Sequence, residues 1–199
     1  MIKLDKATKS NYTLKQGKKC QLSNDVLFYG EIILGDNVVI DSYCIIKDSI
    51  IMNNTHIKPF TKIEKSNIGQ NCNIGPYANI RINTKIDNNV DIGNYVEIKN
   101  SSIGNKTRIN HMSFIGDTKI KECVTIGAGM ITCNHDGEKI NKISINSNAY
   151  IGSGVRLVAP IEIGKNAIIG AGSVITKNVP EDKLTISRSK QVTRKNRKK

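Results

Sequence analysis

Of the three histidines in the chain, His111 has the surroundings best suited to chemistry. It is the third residue of Ile109-Asn110-His111-Met112-Ser113-Phe114, and imidazole is the side chain best able to take a proton near neutral pH. His56 sits in an ordinary turn and His135 in a polar stretch. Two cations, Arg81 and Lys99, each follow an isoleucine, and both isoleucines belong to one regular series. Side-by-side cations repel unless an anion lies between them. A phosphate fits, with Arg81 offering a two-pronged fork and Lys99 a point charge. The plain alternatives are two solvated side chains that splay apart and a structural histidine. Dispersed histidines, and five cysteines without C-x-x-C or Cys/His spacing, predict no metal site and no disulfides.

What must position these residues is a six-residue beat. An aliphatic residue returns as Leu34, Ile40, Ile46, then Ile51, Ile57, Ile63, Ile68, Ile74, Ile80, Ile86, Ile92, Ile98, Ile103, Ile109, Ile115, Ile120 and Ile126. It resumes as Ile145, Ile151, Leu157, Ile163, Ile169 and Ile175. Two residues before most of these stands something compact, such as Val38, Cys44, Thr55, Cys72, Ala78, Val124, Ala149 or Ala167. Neither a helix nor an amphipathic strand repeats at six, but a hexapeptide β-solenoid does. Glycine often follows the repeat residue, as at Gly35, Gly69, Gly93 and Gly127, where the expected reason is unhindered φ/ψ at a tight corner. With three hexapeptides per coil and some five-residue steps, coils of seventeen or eighteen residues stack into columns. That places Arg81 beside Lys99 with Gly116 next, leaving room, and gives His111 the column neighbours Asn94 and Ala128.

The repeat divides the chain into a polar lead-in over 1–19, a β-helix over 20–180 with a polar loop over 133–143, and a basic tail over 181–199. Cys20, Cys44 and Cys72 fall on the compact interior series and read as small buried hydrophobes. Net charge is +13, with the excess concentrated in the tail. That balance suggests an anionic partner, but no aromatic side chain is interleaved there to stack bases, so nucleic acid is not expected. No apolar run is long enough to span a membrane and no signal pattern opens the chain, so a cytoplasmic protein without membrane attachment is expected.

Between these columns lie motifs more specific than the repeat: Ile74-Gly-Pro-Tyr-Ala-Asn-Ile-Arg81, Gly93-Asn-Tyr-Val-Glu-Ile-Lys99, His111-Met-Ser-Phe-Ile-Gly-Asp117, Ile126-Gly-Ala-Gly-Met-Ile-Thr-Cys-Asn134, Leu157-Val-Ala-Pro160 and Ile186-Ser-Arg188. In their order and spacing the chain resembles, from about Asp5 to Arg194, the C-terminal acetyltransferase domain of the bacterial N-acetylglucosamine-1-phosphate uridyltransferase/glucosamine-1-phosphate acetyltransferase. The resemblance implies an all-β, left-handed parallel β-helix assembled as a homotrimer with active sites between subunits. It implies that His111 is the general base, that Arg81 and Lys99 grip the sugar phosphate, and that Phe114 and Thr125 face the amino sugar. It maps acetyl-CoA contacts onto Ala128, Asn134, His135, Ser153, Ala171 and Arg188. The reaction implied is acetylation of glucosamine 1-phosphate on the route to UDP-N-acetylglucosamine, with uridylyl transfer left to a separate protein. The family has tyrosine where this chain has Phe114, asparagine at Thr125 and usually tyrosine at His135. These changes favour, as an alternative, a different amino-sugar phosphate or a nucleotide-linked amino sugar. A non-catalytic trimerising or regulatory subunit of a separate nucleotidyltransferase is the third reading.

Overall fold

The structure, a computed structural model, describes residues 11–195, all in strands and turns, with no helix among them. The chain winds as a left-handed parallel β-helix whose three faces are built from short strands, each paired in register with its counterpart one coil away. The first face is a ten-stranded sheet. Its inward column runs Leu22, Ile40, Ile57, Ile74, Ile92, Ile109, Ile126, Ile151, Ile169 and Thr185. The second carries Phe28, Ile46, Ile63, Ile80, Ile98 and Ile115, and the third Leu34, Ile51, Ile68, Ile86, Ile103, Ile120, Ile145 and Ile163. Faces two and three join into one sheet because the strands Leu27–Leu34 and Ile45–Ile51 continue around the corner between them. The repeat positions are thus the core. Nearly all are fully buried, each contributing roughly 1.5–3 kcal/mol of apolar transfer.

Cys44 and Cys72 are buried in that core, as their place in the compact series predicts, and burial pushes the Cys44 thiol up to about 11. The sheet also reaches into both flanking segments. Tyr12–Gln16 pairs in parallel with Gly30–Leu34, and Leu184–Thr185 pairs with Ile168–Ile169.

The glycine expectation is corrected. Gly35, Gly69, Gly93 and Gly127 do not have left-handed backbones. They are required by close approach: a Cβ on Gly127 would stand 2.5 Å from the Ser153 nitrogen of the next coil. Gly75 is the one glycine of the series that is left-handed, as expected; the other left-handed conformations fall elsewhere, at one residue in most corners. Between faces three and one these are mostly polar: Lys19, Asn37, Asn54, Asn71, Asn89, Lys106, Cys123, Asn148, Asn166 and Asp182. Between faces two and three they are Gly30, Asp48, Lys65, Asn83, Asn100 and Asp117. Asn and Asp tolerate this region best after glycine. The corner between faces one and two is different, with Tyr43, Phe60, Tyr77, Tyr95 and Met112, then Gly129, Gly154 and Gly172.

Candidate active site

His111 stands on that unusual corner, at the end of the strand Arg108–His111, in register with Asn94 one coil away. Its Nδ1 lies 2.7 Å from Asn94 Oδ1. A ring that donates from Nδ1 to an amide oxygen leaves Nε2 unprotonated, the tautomer a base requires. The backbone ladder continues from this turn: the Gly129 N–H donates to the His111 carbonyl, Gly154 N–H to Ala128 and Gly172 N–H to Ser153. The Arg188 guanidinium closes the series by donating to the Ala171 carbonyl at 2.8 Å. His111, Ala128, Ser153, Ala171 and Arg188 therefore share one edge of the prism.

Past His111 this edge is bare. No atom lies within 4 Å of a Cβ built on Gly172, and only Gly154 approaches one on Gly129, at 3.9 Å. The N–H groups of Ala128, Ser153 and Ala171 donate no backbone hydrogen bond among the described residues. A bare strip of small residues with unused amide donors runs about three rungs, roughly 14 Å at strand spacing. It begins at the imidazole.

Face two holds the second group. Arg81 and Lys99 occupy adjacent rungs, since Ile80 pairs with Ile98, and Lys99 pairs with Gly116. The expected anion between them is not the first partner of Arg81. Glu97, two residues before Lys99, takes its guanidinium at 2.7 Å. The room expected at Gly116 is also filled: a Cβ there would meet the Phe114 ring at 2.9 Å and Asn134 Nδ2 at 2.8 Å. Phe114 and Asn134 are thus brought together over Gly116, next to Lys99. Asn134 is held in turn by Asp117, whose Oδ2 accepts from Nδ2 at 2.6 Å.

Two residues implied by the resemblance stand apart. Thr125 is on face one, paired with Arg108 and Tyr150, so it points away from Phe114 around the corner. His135 is exposed on the extruded loop, where its Nδ1 accepts from the Gly137 N–H at 3.0 Å. Sequence reasoning missed Asn94 as a fixed partner, Glu97 and Asp117. The columns place Glu97 one rung over from Arg81, but not the diagonal reach of the two side chains that makes the contact. Among the described residues no group of three or more His, Cys, Asp or Glu is arranged to hold a metal ion.

A parallel solenoid of hexapeptide coils carrying a histidine edge beside a cationic face defines a hexapeptide-repeat β-helix protein. Two family models match it: Bacterial transferase hexapeptide (six repeats) over residues 142–177 and the GMPPB C-terminal domain over residues 15–84. The chain is homologous to the bifunctional protein GlmU over about nine-tenths of its length. It is 49% identical to that of Ruthia magnifica subsp. Calyptogena magnifica over 180 residues, 90% of this chain and 40% of that protein. It is 42% identical to that of Herminiimonas arsenicoxydans over 181 residues, 91% of this chain and 40% of that protein. The chain therefore spans about two-fifths of the length of these relatives. The fold is shared with two solved UDP-N-acetylglucosamine acyltransferases. That of Bacteroides fragilis has a TM-score of 0.65 at 19% identity, covering 81% of this chain and 67% of that one. That of Francisella novicida has a TM-score of 0.62 at 21% identity, covering 86% and 66%.

Proposed function

We propose that the protein transfers the acetyl group of acetyl-CoA to the amine of glucosamine 1-phosphate. The observation that carries this reading is the placement of His111, its Nδ1 engaged by Asn94, at one end of an edge bare enough to take a slender chain. The pantetheine arm lies along Ala128, Ser153 and Ala171, with Arg188 near the CoA phosphates and Asn134 and His135 flanking the loop side. The thioester carbonyl then sits beside His111. Nε2 takes the proton as the amine attacks, and the unused Ala128 N–H is placed to stabilise the oxyanion. The tetrahedral adduct collapses, the C–S bond breaks, and CoA thiolate leaves and is protonated. Arg81 and Lys99 hold the sugar phosphate, with Glu97 keeping the Arg81 fork oriented until the phosphate displaces it.

The exterior of a prism is convex, so Thr125 on face one and Phe114 on face two diverge within one copy. A cleft lined by both needs a second body. We therefore place the site between copies of a homotrimer, packed along the corner that carries His111. The Phe114 ring over Gly116 favours a second reading, in which the acceptor is another amino-sugar phosphate or a nucleotide-linked amino sugar with an apolar face or substituent there.

The test is release of CoA thiol from acetyl-CoA in the presence of glucosamine 1-phosphate. Turnover is expected, and His111→Ala is expected to slow it about 10²–10⁴-fold. Preference for another amino sugar would select the second reading, and no turnover with any amino-sugar acceptor would overturn both.

A further inference from the structure

Asp117 is 7% exposed and holds a left-handed backbone at the corner between faces two and three. Both of its carboxylate oxygens are taken by amides. Oδ1 accepts from Asn100 Nδ2 and Oδ2 from Asn134 Nδ2, the latter at 2.6 Å. Its own carbonyl accepts the Ile143 N–H at 3.3 Å, while the Asn134 carbonyl accepts the Asn141 N–H at 2.7 Å. One residue thus ties the side chain that opens the extruded loop and the backbone that closes it.

An ionised carboxylate offers acceptors only, so the Asn134 amide has one allowed orientation: NH2 toward Asp117, Oδ1 away. Among the described residues nothing donates to that Oδ1. We infer that Asp117 is a positioning residue that fixes the Asn134 amide so that it presents a hydrogen-bond acceptor, never a donor, to an N–H of the bound donor substrate. The inference rests on the acetyl-transfer reading for the identity of that substrate; the locked amide does not depend on it.

The chemistry allows a reversal test. In Asp117→Asn the new amide must donate to one of its two neighbours, so both variants are made with Asn100→Lys, a donor-only side chain of a type this corner already holds at Lys65, and Asn100→Lys alone is their reference. The amide at 117 then keeps its oxygen for position 100 and can donate to Asn134 only if Asn134 turns over, so that NH2 now faces the ligand. Asparagine suits a left-handed backbone, so the fold is retained. In the double variant Asp117→Asn/Asn134→Asp, the carboxylate at 134 accepts from the amide at 117 and again shows an acceptor outward, with net charge unchanged. The single variant is expected to raise the KM for acetyl-CoA about tenfold, the worth of one hydrogen bond made or opposed, with a smaller change in kcat and an unchanged melting temperature. The double variant is expected to recover most of that loss. A single variant with the reference KM, or a double variant no better than the single, overturns the inference. Should the wild type acetylate no amino sugar, the function fails separately. CoA binding to the same three proteins, measured by calorimetry, then decides the inference by the same pattern of loss and recovery.

Discussion

At the scale of single residues, two side chains of the candidate site each have one partner and one free atom. His111 gives Nδ1 to Asn94 and keeps Nε2; Asn134 gives Nδ2 to Asp117 and keeps Oδ1. This supports a graded expectation. Asn94→Ala leaves the imidazole in place but frees its tautomer, so kcat should fall by about two- to tenfold, the worth of one hydrogen bond. That loss is far smaller than the loss expected for His111→Ala, and steady-state kinetics on the two variants separates them. Equal losses would mean that Asn94 does more than orient the ring. The positions of His111, Arg81 and Lys99 were legible in the sequence because they stand at fixed offsets from repeat residues, so counting alone puts them in columns. Glu97 and Asp117 were not singled out, because their roles depend on side chains reaching diagonally between rungs or around a corner, which residue spacing alone does not fix.

At the scale of elements, the repeat specified strand and corner almost everywhere, and its failures have local causes. In the inward column of face two, Ile115 is followed by Thr132, since Phe114 pairs with Ile131, and then by Leu157. The beat breaks in residue type here but not in position. The reason is that the ladder is interrupted at this rung. The Gly116 N–H donates to Thr132 Oγ1 at 2.7 Å, and that hydroxyl donates to the Phe114 carbonyl at 3.2 Å. Thr132→Val restores an aliphatic residue of the same shape but strands the buried Gly116 N–H, while the Phe114 carbonyl keeps its place in the ladder, so it should destabilise the protein by about 1–3 kcal/mol in denaturant unfolding. A neutral result would show that the rung closes without the hydroxyl. The loop that follows has its own anchor. Asp136 accepts from the Lys139 and Glu138 N–H groups and the Asn141 side chain, and these bonds hold its carboxyl down at about 2 against an ordinary 3.8. A depressed carboxyl contributes order that is complete above its ordinary value and lost as the pH falls through the folded one. Amide exchange in the loop should therefore show protection, beyond the intrinsic pH dependence of exchange, decline between about pH 4 and pH 2. In Asp136→Asn this pH-dependent part should be absent.

At the scale of the whole molecule, one corner is out of character with the other two. Tyr43, Phe60, Tyr77 and Tyr95 stack with centroids 5.1, 4.9 and 5.2 Å apart, yet each is 44–58% exposed. All four occupy left-handed positions, which the corner between faces three and one fills largely with asparagine. A bulky aromatic ring is costly there, and a continuous exposed apolar stripe marks a contact surface. The stripe runs through Met112 into the turn of His111, so a copy packed along it would also wall the bare edge beside the imidazole. Substituting Phe60→Asn together with Tyr77→Asn puts the preferred residue type into the same backbone. The monomer loses ring stacking worth about 0.5–1.5 kcal/mol per pair but relaxes its corner, so the fold should survive with little change in unfolding midpoint. Assembly should not survive. The wild type is expected at about three times the chain mass of 21.9 kDa by light scattering, and the double variant near one. Acetyl transfer should fall with it if the proposed site is shared, because Thr125 and Phe114 lie on different faces of one copy. A wild-type protein that runs as a monomer and still turns over would refute the shared site. A double variant that stays trimeric would move the contact to another face.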